Sequence, residues 1–462
     1  MSSCQMYEWL ATHKEKIFFS LLYWSSIGTW QYTDSLTIEL PFMVPYLPEG
    51  WDLGVFFGLM SGLSDISLLL VPLCLKVGVK RTLTLCYFLG LIFSIALIFL
   101  WDETMADRWG HLGHDFSFGF ISTSFVLLAL DGVRGTLIFS WIERDFPASF
   151  VTAILVGEVS GGFIATLMSY IQGARINFNN TNSFKTRQET IGTTTNDNEV
   201  SSESSLSTDF LFGPTAAMSF LSALYISSTI AFTVFLILSK TKFKMGSDDT
   251  TAKEKERLFN DSRVGSANLS LNTSQNDEAH VTSSEWLFQT VQSKKSHKYF
   301  MWIVLVIAGG NVFTFSPSFF TYTTLPYSQR CYTLSVSLWG FCLPAMGIVS
   351  HFKPIQNFIT FVMILILHLV ICTFLLLVAL RSPAPPFVDH SSAEAVIILL
   401  WMGEAITGYF LVSSAMHCLR RMQMENAFIM GVISHNFGEF LVGIISFCLL
   451  RFTALFTKDS SQ

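Results

Sequence analysis

Charge is what this sequence has least of. Asp, Glu, Lys and Arg make up 13% of its 462 residues, where soluble domains run at about 25%. Hydrophobic residues reach 51%, with 44 Phe and 11 Trp among them. A water-soluble fold cannot bury that much apolar surface. Lipid accepts it, provided each segment satisfies its own backbone polar groups, which favours helices. The formal net charge of −6 offers no basic surface for nucleic acid. Paired cysteines are missing as well. The eight cysteines (Cys4, Cys74, Cys86, Cys331, Cys342, Cys372, Cys418, Cys448) are scattered, mostly in apolar runs, without CxxC or zinc-type Cys/His spacing. That excludes a disulfide scaffold and points to no metal site. No cleavable leader is expected, since Lys14 and Lys16 precede a run that continues into polar sequence without a small-residue cleavage site. Nor is there a nucleophile elbow, a phosphate loop or a metal triad, so neither an enzyme nor a bound cofactor is expected.

Long apolar runs are plentiful. A helix needs about 20 apolar residues to cross the hydrocarbon. Eleven such runs lie near 17–45, 53–75, 82–101, 115–141, 148–172, 214–239, 299–320, 331–350, 355–380, 394–417 and 427–450. The first is too long for one straight span, and Pro41, Pro45 and Pro48 predict a bent outer end. Two polar stretches, 174–213 and 241–297, are rich in Ser, Thr and Asn and read as flexible loops. The expected fold is therefore an all-α polytopic membrane protein of about eleven helices in a 6+5 two-bundle arrangement. Residues 1–240 form the first bundle, 241–297 a cytoplasmic loop and 298–462 the second bundle.

Basic residues set the orientation. Lys14, Lys16, Lys76, Lys80, Arg81, Arg144, Lys353, Arg420, Arg421 and the lysines bounding the central loop fall on one side, against mainly Arg108, Arg330 and Arg381 on the other. The N-terminus is expected in the cytosol and, with an odd number of spans, the C-terminus outside. Asn179 then heads a sequon on an outer loop and can carry a glycan, whereas Asn260, Asn268 and Asn272 head sequons on the inner loop and stay bare.

A charged side chain inside a span costs at least about 2.5–3.5 kcal/mol, so it normally faces the protein interior. Asp34, Glu39, Asp65, Asp131, Arg134, Glu158, Glu404, His435 and Glu439 all lie in spans. Asp34 and Glu39, five apart, point to different sides of a straight helix. Asp131 and Arg134, three apart, share a face and read as a mutually neutralising pair. His435 and Glu439, four apart, form either a proton relay or an interior hydrogen-bonded pair. Glu158 sits among Gly157, Gly161 and Gly162, which read as a close-packing seam that points the carboxyl inward. His111, His114 and Asp115 read as a solvated loop. Trp51 fits the interfacial aromatic belt. Trp30, beside the buried acids, is the stacking candidate for a flat ligand.

The first hairpin is distinctive. Gly28-Thr29-Trp30, Ile38-Glu39-Leu40-Pro41 and Leu47-Pro48-Glu49-Gly50-Trp51 resemble the opening of the eukaryotic riboflavin transporter family, which has Gly-Ser-Trp, Val-Glu-Leu-Pro and Leu-Pro-Glu-Gly-Trp at similar spacing. Further resemblances follow in order. They are Val156-Gly157-Glu158 ahead of Ile171-Gln172-Gly173, then Pro317 with Leu325-Pro326-Tyr327, Tyr332 and Pro344, then Asn436-Phe437-Gly438. The sequence departs from the family at Asp34 and Asp65, where the family has Asn, at Thr136-Leu137-Ile138-Phe139, and at Arg134. A carboxylate accepts hydrogen bonds but, unlike an amide, donates only when protonated. The two Asp therefore either retune the substrate or install proton coupling.

The resemblance implies a fold of the major-facilitator or nucleoside-transporter type and facilitative or proton-linked transport of riboflavin across the plasma membrane. It implies substrate contacts from Trp30, Asp34, Glu39, Asp65, Phe319, Tyr327 and Tyr332. Glu158, His435 and Glu439 are the proton-coupling candidates. The alternatives are a transporter of another flat heterocycle or a cation, and a non-transporting receptor, against which the eleven spans argue.

Overall fold

The computed structural model describes residues 3–105, 115–146, 148–173, 210–240, 295–355, 357–386, 388, 390, 392–421 and 427–452. Asn179, the central loop up to residue 294, His111 and His114 lie outside them. The helices are α1 (Ser3–Ile27), α2 (Gln31–Met43), α3 (Leu53–Ser64), α4 (Val71–Val77), α5 (Val79–Leu100), α6 (Phe118–Asp145) and α7 (Ala148–Gln172). They continue with α8 (Pro214–Lys240), α9 (Lys295–Gly310), α10 (Ser316–Thr324), α11 (Gln329–Phe352), α12 (Phe358–Ala379), α13 (Ala393–Arg421) and α14 (Ala427–Phe452). Among the described residues, ten segments are long and apolar enough to cross a membrane. They coincide with ten of the eleven expected runs. The remaining run, 17–45, is built from the end of α1 and all of α2.

That first span breaks where the sequence did not point. The three prolines predicted a bend at the outer end, and the chain does turn at Pro45 and Pro48 after α2 ends. Pro41, however, lies inside α2, with its carbonyl capped by Gln329 Nε2 at 2.7 Å. The larger interruption is upstream, at Gly28-Thr29-Trp30. Gly28 is required there, because a Cβ would fall 2.3 Å from Ser228 Oγ on α8.

Broken helix ends expose backbone groups that lipid cannot satisfy. Here the neighbours satisfy them. Asp131 Oδ2 accepts the amide protons of Tyr32 and Thr33 at 2.9 and 3.3 Å, at the start of α2. Arg134 donates to the carbonyl oxygens of Thr29, at 2.9 Å, and Gly28. Tyr87 and Ser228 hydroxyls donate to Ser25 O at 2.9 and 2.7 Å. The acid thus sits at a helix N-terminus and the guanidinium at a helix C-terminus, each where the peptide dipoles favour it. The pair does neutralise itself, at 2.5 Å. Its larger role is to cap both ends of a discontinuous helix.

α1 packs on α7 and α8, α5 on α6 and α8, and α2 sits among α6, α7 and α8. In the second half of the chain, α9 packs on α13 and α14, while α11 and α12 pack on α13. The two groups meet where α3 runs against α10 and α14, and where α11 runs against α2 and α7. Small residues make these approaches possible. As expected, Gly157 and Gly161 form a seam: added Cβ atoms would lie 2.4 and 2.5 Å from the Tyr23 and Ile27 carbonyl oxygens of α1. A second stripe, Gly54, Gly58 and Gly62, lines one face of α3. A Cβ on Gly54 would fall 2.2 Å from Pro317 O, and one on Gly62 would fall 2.8 Å from Glu439 O. Backbone cannot yield as a side chain can, so Gly54→Val should cost at least about 1–3 kcal/mol and lower the melting temperature of the detergent-purified protein. Gly132→Ala, whose Cβ would meet nothing nearer than 3.8 Å, should be tolerated. Equal melting temperatures for the two would contradict this packing.

Past the membrane end of α6, Arg144 Nε donates to Asp145 Oδ1 at 2.8 Å and holds that carboxyl below the usual range. The seven cysteines whose side chains are described are all thiols.

Candidate functional site

The break in the first span presents Trp30 and Asp34 toward the middle of the molecule. Trp30 occupies the N-cap position of α2 with φ −115° and ψ 17°. Its indole rests on α6 at Gly135, where a Cβ would fall 2.9 Å from Cε2 and Nε1. One turn on, the Asp34 carboxyl fills the space left by Gly162 of α7, where a Cβ would lie 2.9 Å from Oδ2. Glu158, one turn before Gly162, interacts with both Asp34 and Trp30. Its Oε1 is buried without a hydrogen-bond partner. Two acids and an indole, all half-buried, thus face one another from α2 and α7.

Tyr409 of α13, from the other half of the chain, lies within electrostatic reach of both Asp34 and Glu158. From Tyr409 an aromatic path leads inward: its ring lies 6.1 Å from Phe313, which lies 5.3 Å from the His435 ring. Phe313 belongs to a π-helical turn, Asn311–Phe315, between α9 and α10. Such turns recur at functional sites. His435 Nδ1 pairs with Glu439 Oε1 at 2.9 Å. Glu439 in turn interacts with Asp65, whose Oδ2 is buried without a partner. Asp65 sits where α3 tightens into a 3-10 turn. The expected His435–Glu439 pair is therefore one part of a triad that spans α3 and α14.

Four of the expected substrate residues lie elsewhere. Glu39 is fully buried in the C-terminal half of α2, where the Gln172 side-chain amide donates to both carboxylate oxygens at 3.1 Å. Phe319 packs on Phe315 with centroids 4.6 Å apart. Tyr332 is fully buried, its hydroxyl accepting from Thr321 Oγ1 at 3.3 Å. Tyr327 is half-buried and donates to Pro386 O at 3.0 Å. Trp51 is half-buried against Tyr322, centroids 6.1 Å apart. Sequence reasoning missed Tyr409 and Phe313. The only trace of Tyr409 is a tyrosine in mid-span, and the π-turn that aims Phe313 leaves no local sequence mark.

Comparison with known proteins extends over this whole framework. The family model described as solute carrier family 52, riboflavin transporter, matches residues 15–458. The chain belongs to this family. It is similar to solute carrier family 52, riboflavin transporter, member 3-A of Danio rerio, with 23% identity over 93% of this chain and 94% of that protein. The member 3 protein of Bos taurus is 23% identical over 94% and 95% of the two chains, and that of Homo sapiens 24% over 81% and 83%. Among solved structures, the nucleoside transporter NupG aligns with 12% identity, a TM-score of 0.47 and coverage of 96% and 93%. The D-xylose-proton symporter aligns with 13% identity, a TM-score of 0.40 and coverage of 96% and 99%. The family and the all-helical fold are those of multi-pass membrane transporters, not enzymes.

Proposed function

We propose that this chain carries riboflavin across the plasma membrane by alternating access between its two helical bundles, residues 1–240 and 298–462. The observation that carries the reading is the Trp30–Asp34–Glu158–Tyr409 group at the break of a discontinuous helix, in a chain of the riboflavin transporter family. Discontinuous helices near the membrane centre are where transporters place substrate. Trp30 supplies a face for the isoalloxazine ring. The carboxyl oxygens of Asp34 and Glu158 accept from the ring imide and the ribityl hydroxyls. Riboflavin is close to neutral, so no cationic clamp is needed. Glu39, Phe319 and Tyr332, already held by protein partners, support the bundle around the ligand. Tyr327 and the ties from Asp52 to Tyr322 and to Arg451, the latter at 3.6 Å, close the end of the path expected to face outward.

Flavin binding tests this directly. Purified protein should quench riboflavin fluorescence saturably, and Glu158→Ala should weaken binding by roughly 5- to 150-fold, by analogy with the cost of stranding a ligand donor, about 1–3 kcal/mol. No saturable quenching by the wild-type chain would overturn the substrate. Tight binding of a cation or another heterocycle would then identify the replacement.

Both Asp residues that stand where the family resembled has Asn face a Glu: Asp34 faces Glu158 and Asp65 faces Glu439. Two carboxyls that share a site cannot both ionise cheaply. This supports the proton-linked version, with Asp65, Glu439 and His435 as the group that takes up and releases the proton. Uptake should then be faster at about pH 5.5 than at about pH 8, and Glu439→Gln should flatten the profile. A flat wild-type profile would leave facilitative transport.

On this reading the Lys and Arg distribution puts the N-terminus in the cytosol and the C-terminus outside. Endoglycosidase should therefore shift the mass of the wild-type protein and leave Asn179→Gln unchanged. A shift that persists in that variant would overturn the site or the topology.

A further inference from the structure

A second cluster of chemistry-bearing side chains lies in the C-terminal half, apart from the substrate path. His368 and Cys372 are four apart on α12 and share its inner face. Glu404 reaches them from α13. One ligand atom from each of the three falls within 4.8 Å of the others, and His368 and Glu404 are fully buried. This is α12's most conspicuous departure from its composition, since Phe358–Ala379 is the most apolar span, with a mean hydropathy of 3.1.

From these residues we propose a buried divalent-metal site, with zinc the ion it fits best. The distances support it. His368 Nε2 and Cys372 Sγ are 3.6 Å apart, close to the roughly 3.5 Å between nitrogen and sulfur ligands on one tetrahedral zinc. The orienting contacts support it too. Thr407 Oγ1 donates to Gly403 O at 2.7 Å and lies 3.1 Å from His368 Nδ1. It therefore accepts the Nδ1 proton and leaves the Nε2 lone pair aimed at Cys372. A histidine ligand fixed by a second hydrogen bond is the usual arrangement at zinc. Glu404 Oε2 accepts from Trp339 Nε1 at 2.8 Å, while Oε1 is buried with no donor at normal hydrogen-bond distance, Ser316 approaching the carboxyl only loosely. Asn311, in the π-turn, places its amide 3.3 Å from His368 Nε2. Once an ion occupies Nε2, a turn of this amide would offer Oδ1 as the fourth ligand.

Charge completes the case. On binding, the dication displaces the Cys372 thiol proton and the Glu404 carboxyl proton, both of which leave to solvent, and Glu404 coordinates as the carboxylate. One thiolate and one carboxylate cancel the ion's charge, as a low-dielectric interior requires. A mixed sulfur, nitrogen and oxygen set in tetrahedral reach selects zinc over calcium or magnesium. The ion would tie α12 to α13 and to the π-turn that carries Phe313. It is structural, closed from solvent, and independent of which substrate is carried.

The test uses full-length protein purified in detergent without chelator. Elemental analysis should find about one zinc per chain, and cobalt substitution should give the strong visible absorption of a tetrahedral ion with a thiolate charge-transfer band. Cys372→Ser and Glu404→Gln should each lose most of the metal, while Cys418→Ser retains it. A membrane-permeant chelator should lower the melting temperature of the wild type and leave that of Cys372→Ser unchanged, which separates metal loss from misfolding. Metal-free wild-type protein that also fails to bind cobalt would overturn the site, and so would full metal content in Cys372→Ser.

Discussion

Arg134→Leu should abolish folded protein at the cell surface, and transport with it. The guanidinium is fully buried. It donates to Thr29 O, Gly28 O, Asp131 Oδ1 and the Tyr225 hydroxyl, and it lies 4.9 Å from the ring centroids of both Tyr87 and Tyr225. Removing it strands the Asp131 carboxylate and uncaps the last carbonyls before the break. Breaking one partner of a buried ion pair costs about 3–5 kcal/mol, a large share of the roughly 5–15 kcal/mol that holds a domain together. Arg134→Lys should rescue only in part, because an ammonium cannot reproduce the planar fork that reaches several acceptors at once. Asp131→Asn should be milder, since the amide oxygen still accepts from Tyr32 and Thr33. The check is the melting temperature and monodisperse fraction of solubilised protein. Arg134→Leu with wild-type melting would contradict the capping role.

Trp30→Ala should leave the protein at the surface and raise the riboflavin concentration needed for half-maximal uptake by roughly 5- to 150-fold, from the about 1–3 kcal/mol that stacking contributes per flat heterocycle. Trp30→Phe should recover part of the loss. Gly135→Leu attacks the same indole from behind. Its side chain needs the space that Trp30 Cε2 and Nε1 occupy, 2.9 Å from the added Cβ, so it should reproduce the Trp30→Ala defect without touching the ligand. Unchanged half-saturation in both variants, measured with surface amounts matched, would remove Trp30 from the site.

The spans were legible because hydropathy depends only on local composition, and each run of about 20 apolar residues has essentially one way to satisfy its backbone in lipid. The pairs Asp131–Arg134 and His435–Glu439 were legible for a similar reason: spacings of three and four put side chains on one face. What those pairs touch was not legible. The carbonyls that Arg134 caps lie 105 and 106 residues away, and the break they serve falls at Gly28-Thr29-Trp30, while the eye is drawn to the prolines downstream. Asp65 joins His435–Glu439 only because glycines let α3 approach α14 closely. Glu39 carries the family pattern and looked like a ligand group, yet Gln172 already occupies its oxygens. The His368–Cys372 spacing stands in the sequence, but its third partner comes from the next helix. Long-range neighbours of this kind are fixed by packing, which no local pattern records.

The most direct measurement is counterflow in proteoliposomes: vesicles preloaded with unlabelled riboflavin, containing the purified chain, with labelled riboflavin outside. Riboflavin transport through the Trp30–Asp34–Glu158 site predicts a transient, saturable accumulation of label that is strongly reduced for Trp30→Ala and Glu158→Ala. Wild-type protein, folded and correctly inserted, that accumulates no label above empty vesicles would contradict it.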